Sequence, residues 1–537
     1  MPTPRDTAIL SEFEEASEEE VRKIIMQSPT KWCSLDPIPT CLLKECLDLL
    51  LPLITNIVNL SMSSGEMPHN LKEAIILPLI KKALLDPEIF KHFRPVSNLS
   101  FLSKLVEKVV AVRFKSHITV NKLDDPFQSA YKENHSTETA LVRVHNDILR
   151  ALDNHEAVLL VLLDLSAAFD TVDHRILLDT LSLRFGVKGV ALQWFRSYLN
   201  GRSECVFING STSTKHTPTC GVPQGSILGP LLFSNYTEPL GVLIRKHGLD
   251  YMIYADDDQL YIVFNPNVLD SIHEAKSKIE ACIIDVRAWL ADHLLKGNDP
   301  KTDMLLISSR YRARPDFPGI TVGDTFIQPS SHVRNLGVTF DESFTWEKEV
   351  NNKVRESYYH IKNLGKVRKY LTQVATETMV HAFISTKLDY ANALLVGLPK
   401  CLINKLQYVQ NSAARIVTCK RKYEHITPVF KKLHWLPVSK RIIFKVLLLT
   451  FKCKNGIGPK YLSDLLVSHE SGHSLRSEAS GLLRVPRTKQ VTYGDRAFSK
   501  AAPTLWNTIP AQIRNSTSVN SFKNQLKTYL FRQHFMC

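Results

Sequence analysis

The sequence predicts an α+β protein in which a region of mixed strands and helices is followed by a basic region that is almost entirely helical. From Leu71 to about Asp341, short apolar runs typical of strands alternate with segments of helical periodicity. From Trp346 to about Lys454, only the helical period continues. The chain has 537 residues, of which 44% are hydrophobic, so it can bury several cores.

Charge divides the chain at nearly the same place. The formal net charge is +14, but residues 351–537 hold 31 basic and 8 acidic residues, a net of +23. Residues 1–350 hold the other 36 basic and 45 acidic residues, a net of −9. This asymmetry favours a nucleic-acid-binding C-terminal third beside an acidic front part that uses a metal. A basic surface that is merely solvated is the alternative that charge alone leaves open.

The first 61 residues are predicted to form a helical N-terminal extension. Ser17 and Glu20 fit a capping box, and an amphipathic helical pattern follows them. A proline-punctuated stretch at residues 34–39 precedes a second amphipathic helix that reaches about Ser61. A new region then opens at Met67 and Pro68, because proline ends the helical pattern there.

The start of the chain has no signal-peptide layout, and the ten cysteines form no C-x-x-C pair. We therefore expect reduced thiols in an intracellular protein, nuclear or cytoplasmic, that is neither secreted nor membrane-bound. The longest apolar runs, such as residues 444–451 with Lys445 inside, are shorter than the roughly 20 residues that a spanning helix needs.

The mixed region is predicted from two periodicities, short apolar or alternating runs for strands and the 3.6-residue period for helices. Strands are predicted at residues 74–80, 158–163, 204–208, 251–254, 259–263, 304–307 and 333–340. Helices are predicted at residues 99–119, 176–199 with a break near Gly186 and Gly189, 231–245 and 269–289. Beyond the basic helical region, residues 468–490 are rich in Ser, Gly and Arg and form the best linker candidate. A small final unit, residues 491–537, ends in a helix predicted over 521–533.

A strand of six apolar residues, VLLVLL at 158–163, leads directly into Asp164. A carboxylate at the end of a rigid strand is well placed to hold a divalent cation, because Mg²⁺ prefers fixed, hard oxygen ligands. An aspartate that only caps the next turn is equally compatible with this segment alone.

The second acidic segment is YMIYADDDQLY, residues 251–261. Its apolar flanks predict a hairpin whose turn is formed by residues 255–258, with the carboxylates at the tip. Adjacent acids repel one another, and they become favourable when a cation lies between them and another carboxylate. Asp256 lies 92 residues after Asp164, which allows both to meet in one mixed sheet. Three such acids would hold two Mg²⁺ ions about 3.5–4 Å apart, as phosphoryl transfer requires, and a solvated acidic turn is the alternative.

A loop rich in glycine and proline, CGVPQGSILGPLLF at residues 220–233, surrounds Gln224 and Ser226 just before a predicted helix. Such a loop lets backbone approach a ligand closely. A purely structural turn explains the composition equally well.

Taken together, these segments resemble the reverse transcriptase palm of non-LTR (LINE-like) retrotransposons, in particular the jockey and chicken-repeat types. The Tyr-Ala-Asp-Asp box at residues 254–257 is the most specific piece. The resemblance extends, in the family's order, through FRPVSNLSFLSKLVEKVV (93–110), FQSAY (127–131), WFRSYL (194–199) and RNLGVTFD (334–341). It implies a right-hand fold with fingers and palm over residues 62–345, a helical basic thumb or connection over 346–466, and a linker with a small basic C-terminal unit over 467–537.

The resemblance also implies roles for individual residues. The catalytic carboxylates and metal ligands would be Asp164, Asp256 and Asp257, holding two Mg²⁺ ions, with Mn²⁺ as an alternative. Lys301 resembles a lysine that protonates the leaving pyrophosphate. The primer grip would be Asn335, Leu336 and Gly337, within the similar segment 335–338.

A second implied set would bind the incoming nucleotide. Arg94, with Lys81 or Lys82 upstream, resembles the grip on the triphosphate, for which arginine forks and lysine charges are suited. Phe169 resembles the bulky residue that excludes a ribose 2′-OH. Gln224 is similar to the glutamine beside the sugar and template base, and Leu165 and Gly225 complete the set.

The chain departs from the family's pattern at three positions. Asp258 stands where the family usually has threonine, and a third consecutive acid is expected to raise the pKa of neighbouring carboxyls when no metal is bound. Gly297 and Pro300 change the segment around Lys301, and Pro300 restricts the backbone of the residue before it. The upstream endonuclease of full elements, a CCHC zinc knuckle and an RNase H acid pattern are not recognised in the sequence.

The resemblance implies an RNA-directed DNA polymerase that adds dNTPs to a DNA primer 3′-OH on an RNA template and has no membrane partner. The departures motivate a second hypothesis, a decayed or co-opted copy that only binds nucleic acid. Another palm polymerase, such as an RNA-dependent RNA polymerase, is disfavoured, because a steric gate at Phe169 has no use where ribonucleotides are incorporated.

Overall fold

The computed structural model describes residues 8–82, 84–166, 169–469 and 481–536. Its contacts divide the chain into two compact units, each assembled from segments that are separated in sequence. Unit 1 comprises Met1–Tyr131, Asp164–Lys246 and Cys282–Asn298, and unit 2 comprises Lys132–Leu163, His247–Ala281 and Asp299–Cys537. Unit 2 therefore combines parts of the predicted palm with the predicted thumb and C-terminal unit.

The strands lie between residues 73 and 341, and helices occur before, between and after them. The strands are β1 (Glu73–Ile80), β2 (Phe93–Leu99), β3 (Ala157–Ser166), β4 (Ser203–Ile208), β5 (Ser211–Thr212), β6 (Asp250–Tyr254), β7 (Asp257–Phe264), β8 (Lys296–Gly297), β9 (Asp303–Ile307), β10 (Ile320–Val322), β11 (Thr325–Ile327), β12 (His332–Asn335) and β13 (Val338–Asp341). The helices of the first 300 residues are α1 (Glu18–Gln27), α2 (Thr40–Glu45), α3 (Leu47–Ser64), α4 (Phe101–Val120), α5 (Thr137–Asp153), α6 (His174–Arg184), α7 (Gly189–Leu199), α8 (Gly229–Tyr236), α9 (Glu238–Lys246) and α10 (Leu269–Asp292). The later helices are α11 (Glu347–Val367), α12 (Gln373–Val380), α13 (Thr386–Asp389), α14 (Lys400–Thr418), α15 (Thr427–Leu433), α16 (Val438–Lys454), α17 (Lys460–Ser463), α18 (Phe498–Thr508), α19 (Ala511–Arg514) and α20 (Val519–Phe535). This mixture confirms the predicted α+β class.

Unit 1 contains a four-stranded sheet in the order β2-β1-β4-β5. β1 pairs antiparallel with β2, with Ala74 opposite Leu99, and parallel with β4, with Glu73 opposite Ser203. The predicted strand at residues 74–80 is therefore a central strand of this sheet, which places the predicted triphosphate-binding segment of β2 next to it.

The N-terminal helices belong to the core of unit 1. Ser17 accepts a hydrogen bond from the Glu20 backbone amide at 3.2 Å, as predicted for a cap. The Glu20 carboxylate does not complete a capping box, because it binds Arg113 at 2.7 and 2.9 Å, and this bond lowers its pKa. Within the described residues, α3 is the one helix long and apolar enough, by length and composition alone, to cross a membrane. It buries one face against α1, α4 and α7.

Unit 2 contains the sheet that carries the acidic hairpin. The strand order is β6-β7-β3, and β9 pairs with β3, with Val158 opposite Ile307 and Leu162 opposite Asp303. The side chains of residues 157–161 are fully buried, which explains why this strand is apolar without alternation. The prediction of a buried strand ending near Asp164 is confirmed.

Two predicted elements differ from the structure. Residues 333–340 do not form one strand, because Leu336 and Gly337 adopt left-handed backbone with φ +42° and +84° and fold the segment into the β12–β13 hairpin. The helix predicted over 231–245 is two helices, α8 and α9, separated at Thr237. Glu238 opens the second helix and is buried in a bidentate pair with Arg184 at 2.5 and 3.0 Å.

The C-terminal residues pack within unit 2 against α16. Trp506 of α18 and Phe522 of α20 share a buried cluster with Leu447 and Phe451 of α16. Residues 470–480 of the predicted linker lie outside the described residues. Trp506 and Phe522 of the predicted C-terminal unit are therefore part of a larger helical core.

Candidate active site

The predicted site residues fall into two groups, one within each unit. Asp256, Asp257, Lys301 and the β12–β13 turn belong to unit 2. Asp164, Leu165, Phe169, Gln224, Gly225, Arg94 and the two lysines belong to unit 1. The two groups are therefore described separately, each by the contacts within its own unit.

The acidic hairpin of unit 2 has a turn of two residues, Ala255 and Asp256, because Tyr254 already pairs with Asp257. The predicted four-residue turn is therefore wrong, and Asp257 and Asp258 belong to β7. Ala255 has φ +61°, an uncommon conformation for a residue with a Cβ. Strained backbone of this kind persists where the surrounding structure over-determines it, often at functional sites. Asp256 thus stands on a fixed turn.

The third acid of the hairpin does not crowd the second. Asp257 is exposed, whereas Asp258 is only 3% exposed. Successive side chains of a strand point to opposite faces, so Asp258 lies on the face opposite Asp257. The departure from the family's threonine is therefore accommodated in the interior of unit 2.

The predicted primer grip is attached to the strand that carries Asp257. The buried Asn335 side chain donates from Nδ2 to Oε1 of Gln259, 2.7 Å away. Gln259 lies two residues after Asp257 in β7 and is also buried. This bond joins two segments that are 76 residues apart in sequence, and it places the β12–β13 hairpin beside β7.

Lys301 lies in a short 3-10 turn, Asp299–Lys301, and its side chain is exposed. The turn leads into β9, whose first residue, Asp303, pairs with Leu162. The predicted general acid is thus held close to the last residues of β3 that belong to unit 2.

In unit 1, Asp164 has a partner that the sequence did not indicate. Asn298 donates its backbone amide to the Asp164 carbonyl and its Nδ2 to the Asp164 carboxylate, both at 2.8 Å. Leu165 pairs with Gly297 in β8, and its side chain is buried. Asn298 therefore orients the carboxylate, and the segment around Gly297 that departs from the family's pattern provides that contact.

The loop predicted to approach a ligand folds onto β2. The Ser97 amide donates to the Gln224 carbonyl at 2.7 Å, and the Gln224 side chain donates to Oδ1 of Asp170 at 2.8 Å. Gly225 has φ +126°, and a Cβ added there would lie 2.5 Å from the Ser97 carbonyl oxygen. Only glycine fits this contact, so the loop has a defined position on the sheet.

A buried carboxylate from α4 caps the other end of this loop. Glu107 accepts the backbone amides of Ile227 and Leu228 at 2.6 and 3.1 Å. Burial raises the Glu107 pKa, while the hydrogen bonds from the two backbone amides favour the charged carboxylate and oppose that shift. Hydrogen bonds that involve backbone groups thus join two of the segments that resemble the family, residues 93–110 and 220–230.

Phe169 is half-buried and packed on both sides. Its ring stacks on Phe233 at 4.7 Å between centroids and meets Tyr131 edge-on at 6.4 Å. Its carbonyl accepts the Val222 amide at 2.9 Å. The ring's position is therefore set by three contacts, which suits a residue that limits the space beside a sugar.

The predicted triphosphate-binding cations are exposed on the β1–β2 edge. Arg94 pairs through its backbone with Leu79, and the Lys81 ammonium donates to the Lys91 carbonyl at 2.8 Å. Desolvation raises the pKa of Asp170, whereas the Gln224 bond and the charge of Lys81 lower it. The charge of Lys81 thus acts on Asp170, the carboxylate that accepts the hydrogen bond from the Gln224 side chain.

The carboxylates have the donor chemistry that a divalent cation requires, but they do not build a cage alone. Among the described residues, no group of three or more His, Cys, Asp or Glu side chains is arranged to hold a metal ion. Mg²⁺ is usually bound by one or two carboxylates together with substrate phosphates. Asp164 in unit 1, and Asp256 and Asp257 in unit 2, are carboxylates of the kind that such a coordination uses.

Comparison with known proteins is consistent with this chemistry. Residues 80–340 match the family described as reverse transcriptase (RNA-dependent DNA polymerase). The chain is 28% identical over 70% of its length to a probable RNA-directed DNA polymerase from transposon BS of Drosophila melanogaster, of which it covers 41%. It is 27% identical over 62% of its length to the RNA-directed DNA polymerase from mobile element jockey of the same species, of which it covers 36%. It is 32% identical over 37% of its length to the transposon TX1 uncharacterized 149 kDa protein of Xenopus laevis, of which it covers 15%. The chain thus spans less than half the length of these relatives.

The fit of Gly225 against Ser97 generates a test. We expect Gly225→Ala to destabilise the protein by about 1–3 kcal/mol from backbone strain, with a further cost from the clash. Gly201→Ala is the matched control, since Gly201 also has positive φ, +67°, but nothing lies within 4 Å of an added Cβ. Thermal unfolding followed by circular dichroism should show the larger loss for Gly225→Ala. Equal melting temperatures would mean that the loop is not held against Ser97.

Proposed function

Starting from the reverse transcriptase domain that residues 80–340 form, and whose relatives come from non-LTR transposons, we propose that this chain is an RNA-directed DNA polymerase. Reverse transcriptases act on a nucleic-acid template, a primer and dNTPs, and they generally use divalent metal ions. The proposed template is RNA and the proposed primer is DNA. The 3′-oxygen of the primer attacks the α-phosphate of a dNTP, a new phosphodiester bond forms, and pyrophosphate leaves.

The observation that carries this proposal is the position of Asp256 within the matched region. It stands on a two-residue turn between two buried strands, preceded by the strained Ala255. A two-residue hairpin turn requires positive φ at its first position, and alanine adopts it at a cost of roughly 1–2 kcal/mol, so the flanking strands fix the turn that carries Asp256. The turn is further tied to the predicted primer grip through β7 and the Gln259–Asn335 bond.

Asp164 and Asp256, with Asp257 as the third carboxylate, are the proposed metal ligands. Two bound Mg²⁺ ions, or Mn²⁺ in their place, would lower the charge barrier between primer and triphosphate and stabilise the leaving pyrophosphate. Asn298 keeps the Asp164 carboxylate oriented through its 2.8 Å hydrogen bond. Lys301 would supply the proton that the pyrophosphate takes up.

The nucleotide-binding roles follow from unit 1. Arg94, Lys81 and Lys82 are exposed cations that would bind the triphosphate. Phe169, fixed by Phe233 and Tyr131, would exclude a ribose 2′-OH. The remaining contacts to the base and sugar are proposed for Gln224, Gly225 and the backbone of Leu165, whose side chain is buried.

The basic helices of unit 2 offer a surface for the nucleic-acid backbone. On α11 and the turn after it, Arg355, Tyr359, Lys362, Lys366 and Lys369 are exposed. Their spacing of 4, 3, 4 and 3 residues places them on one helical face, which we call the basic stripe. Cations interleaved with an aromatic ring suit contact with a nucleic-acid strand, so we propose that the basic stripe binds the template–primer.

The alternative of a copy that binds but does not polymerise rested on the departures from the family's pattern. Asp258 is buried on the face opposite Asp257, Gly297 pairs with Leu165, and Asn298 binds Asp164. These contacts argue against the alternative at Asp258 and Gly297, and Pro300 stays a departure beside Lys301. The nuclear or cytoplasmic location stays a prediction.

Asp256→Asn tests the polymerase proposal. We expect extension of oligo(dT) on poly(rA) in Mg²⁺ to fall by about a hundredfold or more, because several kcal/mol of transition-state stabilisation are lost. Template–primer affinity, measured by filter binding, should stay within about twofold. Asp270→Asn, at an exposed position on α10, should extend normally. Parallel losses of binding and extension in Asp256→Asn would contradict the assigned role.

Phe169→Val and Phe169→Ala test the steric gate. Removing the ring opens space at the 2′ position, so we expect the preference for dTTP over UTP, measured as the ratio of kcat/KM values, to fall at least about tenfold. Each methylene-sized contact is worth a comparable factor in specificity. If both variants discriminate as the parent does, Phe169 only packs between Phe233 and Tyr131.

Substitution of the basic stripe tests the nucleic-acid role of the C-terminal third. A truncation at Val350 would remove most of unit 2, so Lys362, Lys366 and Lys369 are replaced by glutamine instead. The slope of log K against log salt is negative, and its magnitude should be smaller by about 2–3 in this variant than in the parent. That is close to one for each phosphate that is no longer neutralised. The control carries the same charge change at the exposed Lys23, Lys115 and Lys246 of unit 1. Parallel lines for all three proteins between 50 and 200 mM salt would exclude the basic stripe.

A further inference from the structure

The turn of the β12–β13 hairpin is held by a residue from outside the hairpin. The Tyr390 hydroxyl donates to the Leu336 carbonyl at 2.6 Å. A Cβ added at Gly337 would lie 3.2 Å from that hydroxyl and 3.4 Å from the ring, so the turn passes directly beneath Tyr390. Leu336 has φ +42°, a conformation that costs roughly 1–2 kcal/mol for a residue with a side chain. The Tyr390 hydroxyl therefore stabilises the orientation of the Leu336 carbonyl, which offsets part of the cost of the strained turn.

Tyr390 is in turn fixed by two helices of the basic region. It directly follows α13, which continues α12 through a π-helical turn at His381–Ser385. The Lys353 ammonium of α11 donates to the carbonyls of Tyr390 and Lys387 at 2.7 and 2.9 Å. π-helical turns interrupt helices frequently at functional sites. The backbone position of Tyr390 is thus set by α11 and α13 together.

Burying the charged Lys353 side chain beside Tyr390 costs desolvation free energy, which its hydrogen bonds and ion pair must offset. Its side chain is buried beside Glu349, 3.5 Å away, and desolvation lowers its pKa, which the Glu349 charge opposes. A buried ammonium must be paired and hydrogen-bonded, and the two carbonyls and Glu349 meet that need. The other Glu349 oxygen accepts the Thr339 amide at 2.9 Å. The same lysine–glutamate pair therefore connects α11 both to Tyr390 and to β13.

The Tyr390 hydroxyl also reaches the start of another helix of unit 2. Oγ1 of Thr137, at the start of α5, lies 3.1 Å from that hydroxyl. The turn that Tyr390 holds is connected to the acidic hairpin through the Asn335–Gln259 bond, since Gln259 lies in β7 three residues after Asp256. These contacts place Tyr390 between the helices of the basic region and the β12–β13 turn that the reaction would use.

We propose that Tyr390 is a positioning residue for the primer 3′ end. Its hydroxyl holds the carbonyl of Leu336, and thereby the Leu336-Gly337 turn, in the orientation that presents the primer terminus to Asp256. The helices α11 and α13 hold Tyr390, so the basic region supports the geometry of the reaction as well as binding nucleic acid. This inference rests on the proposed polymerase function, and Tyr390 itself need not contact substrate.

The test is Tyr390→Phe, which removes only the hydroxyl and keeps the ring and the backbone carbonyl bound by Lys353. We expect the single-turnover rate of one dTMP addition to oligo(dT) on poly(rA) to fall at least about tenfold, because a misplacement near 1 Å can cost about a hundredfold. The template–primer Kd should remain that of the parent, and the melting temperature should fall by only a few degrees, as expected for one lost hydrogen bond. The matched control is Tyr423→Phe, at a tyrosine 92% exposed, which should change none of the three.

The outcomes separate this proposal from the function on which it rests. A parent that extends primers, with Tyr390→Phe extending at the same rate, would overturn the positioning role and leave the polymerase proposal intact. A rate loss accompanied by an equal loss of affinity, or by a melting temperature lowered to the temperature of the assay, would also overturn it, since the hydroxyl would then serve binding or folding. A parent that does not extend any primer would contradict the polymerase function itself.

Discussion

The burial of β3 is the constraint on which the candidate site depends. Residues 158–161 are fully buried, with β7 and β9 as the neighbouring strands. A fully buried Val or Leu contributes about 1.5–3 kcal/mol. Because successive residues of β3 are buried on both faces, its register is defined by its pairing with β9, in which Val158 lies opposite Ile307 and Leu162 opposite Asp303. The apolar run ends at Asp164. The carboxylate that follows is held by rigid strand geometry, which serves a reaction centre better than a loop does.

Within each unit, hydrogen bonds from distant segments hold the sequence motifs in place. The loop that contains Gln224 is bound to Ser97 of β2 and capped by Glu107 of α4. The β12–β13 turn is bound to Gln259 on one side and to Tyr390 on the other. Each short motif is thus held by hydrogen bonds to residues that are distant in sequence. This organisation explains how a unit assembled from separated segments can hold several of the proposed site residues at once.

The strands that carry the carboxylates could be predicted because an apolar run followed by an acid is a local pattern. The length of the acidic turn could not, because Ala255 closes the hairpin in two residues by adopting a left-handed conformation that alanine rarely takes. Asn298 and Tyr390 were also missed. Their hydrogen bonds to Asp164 and Leu336 span 134 and 54 residues, and such pairs leave no periodic trace in a sequence.

The proposal that Asp164 and Asp256 are ligands of one metal ion is most directly open to measurement. Mn²⁺ binding, followed by electron paramagnetic resonance with a chain-terminated primer, template and dTTP, would be compared for the parent, Asp164→Asn, Asp256→Asn and the double variant. A shared ion predicts that each single substitution removes the same tight Mn²⁺ site and that the double variant loses no more than either, a strong coupling in the double-mutant cycle. Independent and additive losses in the two single variants would contradict a common metal centre.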